Sequence, residues 1–350
     1  MQHFKRLDGL RFIAIFLVLI EHFAISIGNK FNAAHYGVDL FFVISGFLIT
    51  RILLRSNGSN LHVYSKFIGR RTLRIFPLYY GFLLTLLIIG DRFMQENILF
   101  FATYSYNYAE DYNLVNATYF QHFWSLCVEE QFYLIYPLIL LTLRKNLIVF
   151  RVVLLVLITI CMAQLTFNII DLPGYQRGLF PRASSILVGC LGATFNFSDK
   201  QSVILNKRWI EFLSLILLAI VLTITPVLKF IVCPIISLYL IVKATNWEFS
   251  IKSINVFLEN KNVIKIGMIS YGIYVFHLPI DYYITKYVFN PFLWERINWN
   301  NLGVVGKLQW HPWIIKLPLY TIITILLASL SYTYFEKPIL QLKDKWFSNS

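Results

Sequence analysis

The chain has 350 residues, of which 57% are hydrophobic and only 14% charged, against about 25% charged in an ordinary soluble domain. Every stretch between apolar runs is shorter than about 35 residues, below the size at which a domain folds alone, so no soluble domain can be cut from it. The net charge of +13 would suit a nucleic-acid binder, but the Lys and Arg sit mainly in short loops between apolar runs, as membrane topology requires, and no nucleic-acid partner is expected.

Runs of roughly 20 apolar residues, enough to cross a bilayer core of about 30 Å, recur from end to end. About ten spans can be drawn, over 10–28, 37–54, 75–90, 124–143, 148–168, 180–197, 210–226, 228–246, 265–288 and 312–335. The first carries Glu21 and His22 and is followed by no small-residue cleavage pattern, so it reads as a retained helix rather than a removable signal. A shorter piece at 97–109, rich in Tyr and Asn, reads as an interfacial or re-entrant segment, because irregular backbone at membrane depth must be sheltered by protein. Pro279 and Pro318 fall inside spans, where neighbouring helices can satisfy the backbone groups they free. Cys127, Cys161, Cys190 and Cys233 lie in apolar stretches without CxxC spacing and read as small buried hydrophobes; no metal site is expected.

Charge asymmetry orients the spans. Arg51, Arg55, Lys66, Arg70, Arg71 and Arg74 fall between positions 51 and 74 with no acidic residue among them, whereas 91–123 holds Asp91, Glu96, Glu110 and Asp111 against Arg92. This places both termini on the cytoplasmic side. The expected fold is therefore all-α: one polytopic transmembrane helical bundle over 1–350.

A charged side chain at mid-bilayer costs about 2.5–3.5 kcal/mol on insertion scales, so each is a functional candidate. Arg11 and His22 are eleven residues apart, close to three helical turns, which sets them on one face roughly 16 Å apart along the axis. A lone histidine in a helix also serves as a structural hydrogen-bonding group; the shared face and neighbouring Glu21 bring the functional reading level with that one. Glu129 and Glu130 lie at a depth in the outer half of the membrane similar to that of His22, and so do Asp39, Arg182 and Asp281. Facing lipid would leave each without a partner, so a shared water-filled cavity is expected. Structural ion pairs between helices are the plainer account of any single member. On the inner side, Arg71 and Arg74 share a helical flank. Positive-inside anchoring explains such a cluster; so does an anion site, since guanidinium forks match phosphate geometry. Two sites follow: an arginine-lined mouth toward the cytoplasm and a His/carboxylate pocket toward the outside. A phosphate-bearing donor with a long flexible arm, such as a coenzyme A thioester, would bridge them.

At these residues the sequence resembles the membrane-bound acyltransferase-3 family. LDGLRFIAIFLVLIEHF at 7–23 is similar to the family's opening helix, its Arg-x10-His pair falling on Arg11 and His22. GVDLFFVISGFLIT at 37–50 resembles the second-helix signature, and RRTLRIFPLYY at 70–80 the RxxR-x-x-P element, on Arg71, Arg74 and Pro77. WSLCVEEQFYLIYPLIL at 124–140 resembles the family's most recognisable string, and YGIYVFHLPI at 271–280 and YFEKPI at 334–339 its late and closing motifs. The resemblance implies a core of ten helices in a bacterial cytoplasmic (inner) membrane. It also implies transfer of an acyl group, commonly acetyl, onto surface polysaccharides, lipo-oligosaccharides or other glycans, with Arg11, His22, Arg71, Arg74 and Glu129 carrying function. Some members end in a fused extracytoplasmic SGNH hydrolase-like domain. None is expected here, so the membrane core completes the transfer itself or a separate extracytoplasmic protein does.

The expected mechanism has acyl-CoA, most simply acetyl-CoA, held through its phosphates by Arg11, Arg70, Arg71 and Arg74. His22 acts as general base on a carbohydrate hydroxyl, oriented by Glu129 or Glu130. Asp39, Trp124, Arg182 and Asp281 are the candidate acceptor contacts. Ser125 and Cys127 lie nearby, but nothing else marks them as nucleophiles, and whether an acyl-enzyme forms is open. The main rival is a transporter or flippase for a glycan or lipid-linked sugar, which would also need a polar membrane cavity; the internal repeats common in transporters are not evident.

Overall fold

The computed structural model describes residues 4–25, 31–115, 119–167, 177–195, 207–224, 229–297 and 312–346. Among these every regular element is helical, in the order α1 (Lys5–Phe23), α2 (Ala33–Leu54), α3 (Asn60–Ile88), α4 (Arg92–Ala102), α5 (Tyr106–Asp111), α6 (Phe123–Leu143), α7 (Leu147–Phe167), α8 (Leu179–Gly192), α9 (Arg208–Ile224), α10 (Lys229–Asn246), α11 (Lys252–Leu258), α12 (Lys261–Met268), α13 (Ser270–Ile284), α14 (Trp313–Ser331) and α15 (Lys337–Trp346). Wider π-helical turns extend α13 over Thr285–Trp294 and join α14 to α15 over Tyr332–Glu336.

A helix stands in each of the stretches expected to span the membrane, although positions 26–28, 168, 196–197, 225–226 and 228 of those stretches lie outside the described residues. Length and composition divide them. Six helices are long and apolar enough to cross a bilayer: α2, α3, α6, α7, α10 and the continuous helix Trp313–Leu342. A seventh results if α12 and the helix Ser270–Phe292, bent from it by 69°, count as one span. The other three fall short for separate reasons. The 19-residue α1 carries Arg6, Asp8, Arg11 and Glu21, α8 has 14 residues, and α9 has 17.

The charges of α1 are tolerated because the helix is enclosed by protein. It packs against α2, α10, α11, α12, α13 and α14, with Leu10, Ala14, Val18 and Phe23 buried. Arg6 is held by Glu248 and Glu259 at 2.9 and 2.6 Å, and Arg11 donates to Asp8 at 2.5 Å. On the opposite side of the bundle α7 turns Val152, Leu155, Val156 and Ile160 outward, an apolar face suited to lipid.

The piece at 97–109 resolves into the two short helices α4 and α5. The carbonyls freed where α4 ends are taken by side chains: Tyr79 donates to Phe101 at 3.0 Å, Tyr80 to Ala102 at 2.8 Å, and Gln131 to Tyr104 at 2.7 Å. Irregular backbone is thus sheltered by α3 and α6, as an apolar surrounding demands. Between α9 and α10 the buried Lys243 pairs with Glu211 at 2.6 Å. Breaking a pair of that kind by removing one partner costs about 3–5 kcal/mol.

The densest crossing joins α2 to α8, where Gly46 and Gly189 face each other's helix. A β-carbon on Gly46 would collide with the Ile186 carbonyl, and one on Gly189 with the Val43 carbonyl. Small residues allow this approach, which replaces the hydrophobic drive absent in lipid with close packing. Gly189→Val is expected to force the helices apart and destabilise the fold by about 1–3 kcal/mol or more. Thermal unfolding of the detergent-solubilised protein measures the loss, and an unchanged midpoint would contradict this packing.

Candidate active site

Ser59 caps α3 by accepting from the His62 amide at 3.4 Å, so this helix begins well before position 75 and carries Arg70, Arg71 and Arg74 in mid-length rather than ahead of it. Arg71 and Arg74, three residues apart, border a cavity of about 100 Å³ enclosed by α1, α2, α3, α6 and α13. Arg11, Ser45, Glu129, Glu130, Tyr133 and Tyr274 also line it. Arg71 lies 4.9 Å from the Tyr133 ring centre. Glu129 lies beside the Ser45 and Tyr133 hydroxyls, in the field of Arg71 and Arg74; the two hydroxyls are 2.7 Å apart. Glu130 is 9% exposed, and its Oε1 has no hydrogen-bond partner within the protein. Leaving such an acceptor unsatisfied costs about 1–3 kcal/mol or more.

Arg70 parts from its two neighbours. It borders a second opening, of about 340 Å³, together with Arg51, Arg55, His62 and Lys66. Leu48 lines both spaces, so a basic vestibule adjoins the arginine–carboxylate cavity.

His22 does not line the cavity. Its Nδ1 stands 3.0 Å from His277 Nε2, and the ring centres are 4.9 Å apart. His277 is fully buried and its Nδ1 lies 2.6 Å from the Tyr274 carbonyl. The His122 ring packs 4.8 Å from that of His277, with its Nε2 3.3 Å from the Val275 carbonyl. Tyr274 closes the end of the cavity: its hydroxyl donates to the His122 carbonyl at 3.0 Å and shares a 2.6 Å bond with Ser125. One layer of rings therefore separates the cavity from His22. The expected His/carboxylate pocket is divided, with Glu129 and Glu130 beside the arginines and a second histidine beside His22. Sequence reasoning missed His277, His122, Tyr274, Tyr133 and Ser45. His277 stood in the late motif and Tyr133 in the fourth span, but no local spacing shows that positions 22 and 277 meet.

Three of the four candidate acceptor contacts come together. Asp39, 4% exposed, accepts from Ser185 at 2.8 Å and faces His35 Nε2 at 3.2 Å. Arg182 lies 5.0 Å from the Trp124 ring and 5.5 Å from that of Phe230, within the electrostatic range of Asp39. Trp124 meets Phe42 edge to face at 6.0 Å, and Phe42 lines the cavity. Asp281 stands apart, 3.7 Å from Lys316 and 3.2 Å from the Thr285 hydroxyl. Among the described residues no group of three or more His, Cys, Asp and Glu side chains is arranged to hold a metal ion.

A cationic vestibule, a narrow polar cavity and buried imidazoles are thus carried on an apolar helical bundle. The model of the acyltransferase-3 family, an acyltransferase domain, matches residues 4–333, and the chain belongs to that family. It is 28% identical over 369 aligned positions to the peptidoglycan O-acetyltransferase OatA of Listeria monocytogenes, covering 95% of this chain and 55% of that protein. It is 26% identical over 376 positions to the O-acetyltransferase OatA of Staphylococcus aureus, covering 98% of this chain and 58% of that one. The chain thus spans between half and three-fifths of the length of these relatives. No solved structure matches it.

Tyr274→Phe is expected to lower thermal stability by about 0.5–1.5 kcal/mol, the net worth of a lost hydrogen bond, because the Ser125 hydroxyl loses its 2.6 Å partner but keeps the His122 carbonyl at 3.1 Å. A melting curve indistinguishable from that of the unsubstituted protein would show that this wall is not held by the tyrosine hydroxyl.

Proposed function

We propose that the protein is an integral membrane O-acetyltransferase that moves an acetyl group from cytoplasmic acetyl-CoA to a hydroxyl of a cell-envelope carbohydrate. About ten membrane-crossing helices with both termini inside suit this role, the charged α1 and the short α8 and α9 crossing under the shelter of their neighbours. The observation that carries the reading is the sequence of spaces: basic vestibule, arginine–carboxylate cavity, then a ring layer with His22 behind it.

Arg51, Arg55, Lys66 and Arg70, which border the vestibule, receive the nucleotide phosphates. Arginine forks match phosphate oxygens in bidentate fashion. The pantetheine arm passes Arg71, Arg74 and Arg11 into the cavity, where the unpartnered Glu130 Oε1 accepts from one of its amides. The thioester comes to rest against the Ser125–Tyr274 wall. The carbohydrate approaches from the outer side across Trp124, Arg182 and Asp39, an aromatic face and a carboxylate of the kind that hold a sugar ring and its hydroxyls. Because the rings of Tyr274, His122 and His277 stand between the cavity and His22, the transfer requires this wall to open so that the thioester meets the hydroxyl. A neutral His22 then removes the hydroxyl proton, and the oxygen forms the new ester bond at the carbonyl carbon. The carbon–sulfur bond breaks, and the coenzyme A thiolate leaves as the thiol with the proton that His22 took from the hydroxyl, which returns His22 to its neutral form. The acceptor named for the Listeria relative, peptidoglycan, is the first to test.

Labelled acetyl-CoA supplied to membranes with and without the protein tests this directly. Label is expected in the glycan fraction only with the protein present; equal labelling in both would leave a transporter as the better reading. General-base assistance contributes about 10²- to 10⁴-fold, so His22→Ala should insert normally into the membrane and lose transfer by that factor. Full transfer in the variant would remove His22 from the mechanism. Arg70→Lys should raise the KM for acetyl-CoA, since lysine cannot make the bidentate phosphate contact. An unchanged KM would return the vestibule arginines to a purely topological role.

A further inference from the structure

The Tyr274 carbonyl can only accept a hydrogen bond, so the 2.6 Å contact from His277 Nδ1 fixes a proton on that nitrogen. A neutral imidazole carries one N–H and one lone pair. His277 Nε2 therefore presents its lone pair, and it does so 3.0 Å from His22 Nδ1. For that contact to be a hydrogen bond, His22 must carry its proton on Nδ1. The lone pair of His22 is then on Nε2, the nitrogen turned away from His277.

From this chain of donors and acceptors we infer that His277 is a positioning residue which holds His22 in the Nδ1–H tautomer, leaving Nε2 bare to take the proton of the acceptor hydroxyl. The inference rests on the reading of His22 as general base. In serine hydrolase triads a carboxylate does this work by accepting from the base's Nδ1–H, and losing the correct tautomer there costs about 10⁴ in kcat. Here the accepting atom is a second imidazole, itself locked by a backbone carbonyl on its own helix. The arrangement accounts for two observations together: Glu129 and Glu130 are committed to the arginine cavity, and a fully buried histidine stands with its ring against His22. When His22 takes the hydroxyl proton on Nε2, its Nδ1–H remains bonded to His277 Nε2, which keeps the ring's orientation through the step.

The protein, labelled with ¹⁵N-histidine and reconstituted in lipid nanodiscs, tests this. Protonated and bare ring nitrogens resonate far apart, and the His22 signals are identified by their loss in His22→Gln. The expected spectrum shows His22 protonated on Nδ1 and bare on Nε2; the opposite tautomer overturns the proposal. In His277→Leu the imidazole acceptor is gone, and the Val18 carbonyl, one turn back on α1, is what remains beside the His22 ring. His22 should then lose its preference for the Nδ1–H form, and kcat for acetyl transfer should fall about tenfold to a hundredfold, the scale of a misplaced catalytic group. The KM for acetyl-CoA should not change. His277→Gln, whose side-chain oxygen can accept from His22, should keep the Nδ1–H signal and recover most of kcat. Should the leucine variant fail to fold, the unsubstituted and glutamine spectra decide. Equal loss of activity in both variants with an unaltered His22 spectrum would reduce His277 to a packing role. If His22→Ala transfers acetyl at the full rate, the general-base reading fails, whereas the tautomer assignment still stands or falls on the spectrum.

Discussion

An arginine side chain survives in the interior of a bilayer only if protein or water replaces the hydration it gives up, and that constraint organises this molecule. Three guanidiniums, those of Arg11, Arg71 and Arg74, border one cavity. Arg11 is neutralised within its own helix by Asp8, and the other two lie in the field of Glu129. Around them the bundle is closed by helices that approach without such groups, most tightly where α2 crosses α8 through Gly46 and Gly189. Dense packing on that side and a polar cavity on the other are complementary answers to the absence of water. Where side chains are small, backbones close on each other; where they are charged, space is kept.

The same constraint explains what the sequence revealed. Hydropathy located a helix in every expected stretch, because a lipid-exposed segment must satisfy its backbone internally and leaves an uninterrupted apolar run. Helical spacing put Arg71 and Arg74 on one flank, and the cavity receives both. Arg70 is adjacent in sequence but turns about 100° around the axis from Arg71, so it borders the vestibule instead. Less legible was the extent of α3, whose polar first turns from Asn60 onward look like a loop by hydropathy yet form a capped helix. Three of the stretches, those of α1, α8 and α9, form helices that fall short of a span by charge or length, a distinction that an apolar run alone does not make. Least legible was the partner of His22. Depth matching favoured Glu129 and Glu130, but depth sets only one coordinate, and the rotation of α6 directs both carboxylates to the arginines. His22 and His277 lie 255 positions apart, a separation that no local pattern bridges.

The bend between α12 and α13 brings those positions together. With α12 and the extended helix Ser270–Phe292 inclined by 69°, α12 packs along the charged half of α1 while α13 reaches the half that carries His22. Beyond the bend, Ser270, Tyr271 and Tyr274 line the cavity. His277 follows Tyr274 by three residues, a rise of about 4.5 Å, and meets His22. On α1 the corresponding step runs from Arg11 at the cavity to His22 beyond its end wall. Two adjoining helices thus each supply a residue to the cavity and a residue to the imidazole pair. Because helical rise fixes the distance between those residues, the separation of the two places does not depend on loop conformation. Groups held on helices are placed more accurately than groups held on loops, and both the cavity residues and the imidazole pair are held in that way.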